Sequence, residues 1–179
     1  MNKLLIILAL LLLPVLSFAQ EWTIKDWNVQ PFSGGRVLFY AHGTVVHGHQ
    51  FGFLKNTKDC DTDILLISLG SFDKKVKDFD GEPVTFSIEV DGVEFQISVN
   101  VFSKNTGSIT IMTFTNFVAK EDFTNFLIKG NELNLKIVEP KEFIKYFDMN
   151  NETFSLIGFT AARKKAKDYC EETKNRGAL

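Results

Sequence analysis

The sequence predicts a mainly β fold, a sandwich or partly open barrel carrying a short internal helix and a C-terminal helix. Three observations predict it. β-branched and aromatic runs alternate with Gly, Asn and Asp turn signals, residues 84–101 read as one β-hairpin, and 18 phenylalanines demand a packed interior.

At the N-terminus, Lys3 precedes an unbroken apolar run over residues 4–13, and Ser17-Phe18-Ala19 supplies the small residues a signal peptidase accepts. A spanning helix needs about 20 apolar residues, so residues 1–19 read as a signal peptide rather than an anchor. Gln20 follows, not a lipid-bearing cysteine. No later segment is long and apolar enough to cross a bilayer, so no membrane insertion is expected after signal removal. Residues 20–179, 160 of the 179, suit a single β-rich domain. With Lys3 gone, the net charge of −2 becomes −3, which gives nucleic acid or an anionic membrane no electrostatic hold. The expected location is periplasmic or secreted.

The only cysteines are Cys60 and Cys170. An even count in an exported chain reads as a disulfide, here closing a loop of about 110 residues.

Along the chain, Trp22 and Trp27 stand as anchors in a mixed stretch, and Ser33-Gly34-Gly35 marks a turn. Residues 37–46 and 51–54 read as strands reversed near Gly48, residues 56–61 as a polar connection, and residues 64–69 as another strand. Asp91-Gly92 is a type I′ turn dipeptide. A two-residue loop there sets Val90 opposite Val93, Ile88 opposite Phe95, Phe86 opposite Ile97 and Val84 opposite Val99. All four pairs are apolar and share one face. The other face carries Thr85, Ser87, Glu89, Glu94, Gln96 and Ser98. A slip of one residue would put the whole apolar set in water, so the register is specified. Asn105-Thr106-Gly107 turns into a strand over residues 108–114 and completes a meander.

In residues 119–129 the period changes. Phe123, Phe126 and Leu127 share a helical face, Glu121 and Asp122 stand early, and Gly130 marks the stop. Leu133, Leu135 and Ile137 alternate as a strand, residues 142–149 fit helix or strand, and Phe154 and Leu156 lie on a last strand broken by Gly158. Residues 160–172 then read as a helix with Ala162, Ala166, Tyr169 and Cys170 on one side. Its basic stripe of Arg163, Lys164, Lys165 and Lys167 reads as a solvated face complementing the helix C-terminus, and a frayed tail is expected after Glu172.

The stretch Phe154-Ser155-Leu156-Ile157-Gly158-Phe159-Thr160-Ala161-Ala162, closing at Cys170, resembles the ending of the invasion-associated locus B family and related small periplasmic β-proteins. Members end on a strand, a glycine, an Ala-bearing helix and a cysteine that pairs with one ahead of an early strand. Cys60, just before residues 64–69, fits that placement. The phenylalanine content and the polar tail depart from the family. The resemblance implies a periplasmic or secreted β-sandwich without catalytic apparatus, associated with host contact or envelope stress, and it carries over no active-site residue.

Chemistry-bearing motifs are few. His42, His47 and His49 fall within eight positions, and His47 and His49 share a strand face, so a metal site with a third ligand from His42, Asp59 or Asp61 is one reading and an exposed turn the other. Asp59, Asp61 and Asp63 imitate the start of a calcium loop, but Ile64 stands where the sharp-turn glycine belongs and Gly70 where the bidentate Glu belongs. Neither a nucleophile elbow nor a phosphate-binding glycine motif occurs. The sequence therefore predicts a non-enzyme without cofactor, acting by binding an envelope or host protein. A hydrolase inhibitor with a cleft-plugging loop and a metal-binding periplasmic protein are the alternatives.

Overall fold

A computed structural model describes residues 21–56, 58–147 and 150–176; the expected signal peptide lies outside them. The strands are β1 (Trp22–Ile24), β2 (Trp27–Phe32), β3 (Arg36–His42), β4 (Gln50–Asn56), β5 (Asp59–Ser71), β6 (Pro83–Val90), β7 (Val93–Asn105), β8 (Thr110–Thr115), β9 (Val118–Ala119), β10 (Glu132–Glu139) and β11 (Asn151–Ser155). The α-helices are α1 (Glu121–Lys129), α2 (Lys141–Ile144) and α3 (Phe159–Arg176), and short 3-10 turns lie at Ser33–Gly35 and Lys74–Phe79. The strands form one sheet in the order β1-β2-β3-β4-β5-β8-β7-β6-β10-β11, with β9 beside β5, and every pairing is antiparallel.

The sheet curls until its ends meet without forming a ladder. Gly43 bridges Phe154, Thr44 N–H donates to Thr153 O at 2.9 Å, and the Trp27 indole donates to Ser155 O at 3.0 Å. The result is the expected open barrel, and it includes short strands that the sequence does not announce. Strand β1 pairs β2 through a turn at Lys25 (φ 55°), a position with no glycine to mark it.

The meander follows the sequence closely. Val90 opposes Val93, Ile88 opposes Phe95, Phe86 opposes Ile97 and Val84 opposes Val99, with Asp91 and Gly92 both at positive φ. Val93 and Phe95, at the hairpin tip, stay partly exposed, and the Phe95 ring packs on Phe123 of α1 at 5.3 Å. Gly130 stops α1 in an extended rather than left-handed conformation. Its requirement is space, since a Cβ there would lie 2.1 Å from Val90 Cγ1. Residues 142–149 resolve in part as α2, whose Phe143 is buried against Phe79 and Phe147; Asp148 and Met149 lie outside the described residues.

The helix α3 lies across β2 and β3 with Phe159, Ala162, Ala166 and Cys170 buried. Small residues every fourth position let its backbone approach the sheet. Trp27, Phe39 and Phe53 surround Phe159, and Trp22 meets Tyr169 at 4.9 Å with Lys165 Nζ over its indole. Cys60, at the start of β5, is bonded to Cys170, with their Cα atoms 5.7 Å apart. Three expectations need correction. The strand read over residues 37–46 ends at His42, so His47 and His49 lie in a loop rather than on one strand face. The helix continues to Arg176, beyond the predicted fraying point, so its basic stripe lies in the first half and does not complement the C-terminus. Residues 59–61, expected as connection, already pair as the start of β5.

Gly158 sets the entry angle of α3. Its φ is 102°, and an added Cβ would lie 2.5 Å from Ile24 O. Gly158→Ala is expected to cost about 1–3 kcal/mol from backbone strain. Gly48→Ala, with nothing within 4 Å and no such φ, should be near neutral. Urea unfolding of both variants checks this, and equal effects would refute it.

Candidate functional site

Strands β3 and β4 are buried over five consecutive residues each, so they are apolar on both faces. Inward-facing Val37, Phe39, Phe51, Phe53, Leu65 and Ile67 belong to the main core. Residues of the opposite parity form a second cluster on the outer face, Leu38, Tyr40, Leu54 and Leu66, with Phe32 and Ile64 beside them. Register places these in rows: Leu38 opposes Leu54, which opposes Ile64, and Tyr40 opposes Gly52, which opposes Leu66. Gly52 leaves room for its β3 neighbours, because a Cβ there would come within 2.4 Å of Phe39 O and 2.5 Å of Tyr40 Cβ. Burial raises the Tyr40 phenol above its ordinary pKa, and Glu21, whose carboxylate the hydroxyl approaches at 3.4 Å, adds to the effect.

The apolar surface continues onto β8 and β7. Ser68 opposes Thr113, Thr113 opposes Phe102, and Gly70 opposes Ile111. Phe102 is 46% exposed and Phe72, just past β5, is 69% exposed. Two hollows open on this face. One, of about 250 Å³, is lined by Val46, His49, Phe72, Ile109 and Ile111 among others; the second, of about 350 Å³, by Leu54, Leu66, Phe102 and Arg36 among others. An antiparallel sheet normally turns polar side chains outward; here the outer face carries a buried apolar row with Phe72, Phe102 and Ile111 exposed beside it.

The loop of residues 43–49 forms one wall, and a single carboxylate shapes it. Glu152 of β11 is buried and accepts from Val45 N–H (2.8 Å), Val46 N–H (2.9 Å) and Thr153 N–H (3.0 Å), while its Oε2 lies 2.9 Å from His49 Nδ1. Gly43 sits against the same carboxylate, where a Cβ would approach Glu152 Cδ to 2.5 Å.

The three histidines are divided by this arrangement. His49 turns to Glu152, whereas His42, at the end of β3, stacks on His47 with ring centroids 4.3 Å apart. Among the described residues no three His, Cys, Asp or Glu side chains converge as a metal site. The aspartates are divided too. Asp59 caps the turn at Asp61 N–H, Asp61 pairs with Lys167, and Asp63 pairs with Lys55 and Arg163, both at 2.6 Å. The partnership of residues 49 and 152, 103 positions apart, has no signal in the sequence.

No known family profile matches the sequence, and no curated protein does. Among solved structures, the chain is similar to invasion associated protein B from Bartonella henselae, with a TM-score of 0.53 over 83% of this chain and 96% of that one. Identity is 11%. The likeness is one of fold. At that level it agrees with the resemblance read from Cys60 and residues 154–170. Among the described residues no helix is long and apolar enough to cross a membrane.

Proposed function

We propose that this chain is exported, works without catalysis, and holds a protein partner of the envelope or of a host surface against the outer face of its sheet. The observation that supports the reading is the set of exposed apolar side chains Phe72, Phe102 and Ile111 beside two hollows, on the face where Leu38, Tyr40, Leu54 and Leu66 form a buried apolar floor. Large exposed apolar patches on folded proteins commonly mark protein interfaces, with aromatic side chains as their anchors. The disulfide suits an oxidising compartment. The other binding reading, an inhibitor with a cleft-plugging loop, draws less support, because residues 43–49 are pinned by Glu152.

A photoreactive amino acid at position 102 tests the proposal in the native envelope or host-contact setting. It should yield one discrete protein adduct, while the same probe at position 157, exposed just past β11, should not. Phe72→Lys with Ile111→Lys should abolish the adduct with the fold intact. Equal labelling from both positions, or none, would sink the outer-face reading.

A further inference from the structure

A second site lies apart from the outer face, where α3 meets the start of β5. A cavity of about 300 Å³ is lined by Lys55, Asp61, Thr160, Arg163, Lys164 and Lys167. Four cations thus face one carboxylate, or two with Asp63 behind. Lys55 is 1% exposed, and burial pushes its ammonium below the ordinary lysine range against the opposing pull of Asp63. An ammonium has three protons to donate, and Asp63 is the only described acceptor. Arg163 spends Nε on Asp63 Oδ2 at 2.6 Å, which leaves its two terminal nitrogens without a described partner, as is the Thr160 hydroxyl. The remaining partners are weakly held. Lys167 pairs with Asp61 of the cavity and more distantly with Glu171, and Lys164 pairs with Asp168; these pairs lie at exposed positions, where ion pairs contribute little and yield to a better ligand.

Residue placement along α3 points the same way. Its first turn has no acidic residue, and Arg163, Lys164, Lys165 and Lys167 follow at once. Positive charge near the amino end of a helix opposes the backbone dipole, an arrangement that a bound anion corrects.

We propose that this cavity binds a tetrahedral oxyanion, a phosphate or sulfate group, either free or as the end group of a small organic molecule. One Arg fork satisfies the two oxygens of a carboxylate. Lys55, Thr160 and Lys164 supply further donors, which a group with three or four oxygens can use. The volume stands at the lower end of the range of about 300–1,000 Å³ typical of small-molecule sites, so there is room for a substituent. This site shares no lining residue with the proposed protein-binding face and stands independently of that reading.

Titration calorimetry on the mature chain tests it, with inorganic phosphate, sulfate, acetate and glucose 6-phosphate as probes. Phosphate or sulfate should bind saturably with one site per chain and acetate more weakly. Tighter binding of the sugar phosphate than of inorganic phosphate would assign the anion to an organic ligand, and the reverse order to the free ion. Arg163→Gln should weaken binding about tenfold, the equivalent of one charge-assisted hydrogen bond. If Arg163→Gln disturbs the fold, Lys164→Gln, whose side chain is 75% exposed, serves in its place with a smaller loss. Absence of saturable binding by all four anions overturns the proposal. So does binding that is unchanged in both variants.

Discussion

Cys60→Ala combined with Cys170→Ala is expected to lower stability by about 4–5 kcal/mol, the chain-entropy value for a loop of about 110 residues. The physical basis is the poverty of the surface that α3 buries. Its inward side offers one fully buried large residue, Phe159, with Ala162 and Ala166 between it and Cys170 and the half-buried Tyr169 at the edge. Alanine contributes little burial, and most of the remaining surface is charged. Tyr169 on Trp22 and the ion pairs of Arg163 and Lys167 with Asp63 and Asp61 add contacts, but the largest buried anchor is Phe159 at one end and the covalent bond holds the other. Urea unfolding of the oxidised protein and the double variant measures the loss. Hydrogen exchange should locate it in α3, with β6 and β7 keeping their protection. A difference below about 1 kcal/mol would mean that packing alone suffices to dock the helix.

The second large effect is expected at Glu152. Glu152→Ala removes the acceptor of three backbone N–H groups and the partner of His49, all at one buried point. Breaking a buried charged network by deleting one member costs about 3–5 kcal/mol, because the groups left behind lose water without gaining a partner. His49→Ala should cost less, since Glu152 keeps its backbone donors. The order of the two losses is the discriminating measurement. If His49→Ala proved the costlier, the carboxylate would not be the organising group of the loop. Amide exchange at Val45 and Val46 should accelerate in Glu152→Ala and stay slow in His49→Ala.

What the sequence discloses here depends on whether a residue's partner is near or far. The hairpin of β6 and β7 was legible to the residue, because a two-residue turn with a strong type I′ signature fixes which side chains oppose. Strands β3 and β4 were legible as strands but not by face. With five buried residues in succession the period of two disappears, and the outer cluster of Leu38, Leu54 and Leu66 looks like ordinary core. The first hairpin was missed because Lys25 takes a positive φ without the glycine that usually marks one. The histidines were close in sequence and suggested a shared task, yet strand direction and a distant carboxylate sent His49 one way and His42 the other. Lys55 and Asp63 sit across the β4–β5 turn with no pattern to announce a buried pair, and Arg163 reaches them from a hundred residues away.

The meeting of the last strand with β2 and the end of β3 has a mechanical consequence. Ladders zip most of the wall together residue by residue, but the join near Gly43 and Phe154 is fastened only at scattered points, by a bridge, the Trp27 indole and isolated backbone bonds. Pulled or transiently opened, such a cylinder parts along that line first, like a sleeve along its basted edge, while the cross-link from residue 60 to residue 170 keeps the loosened flap tethered close enough to close again.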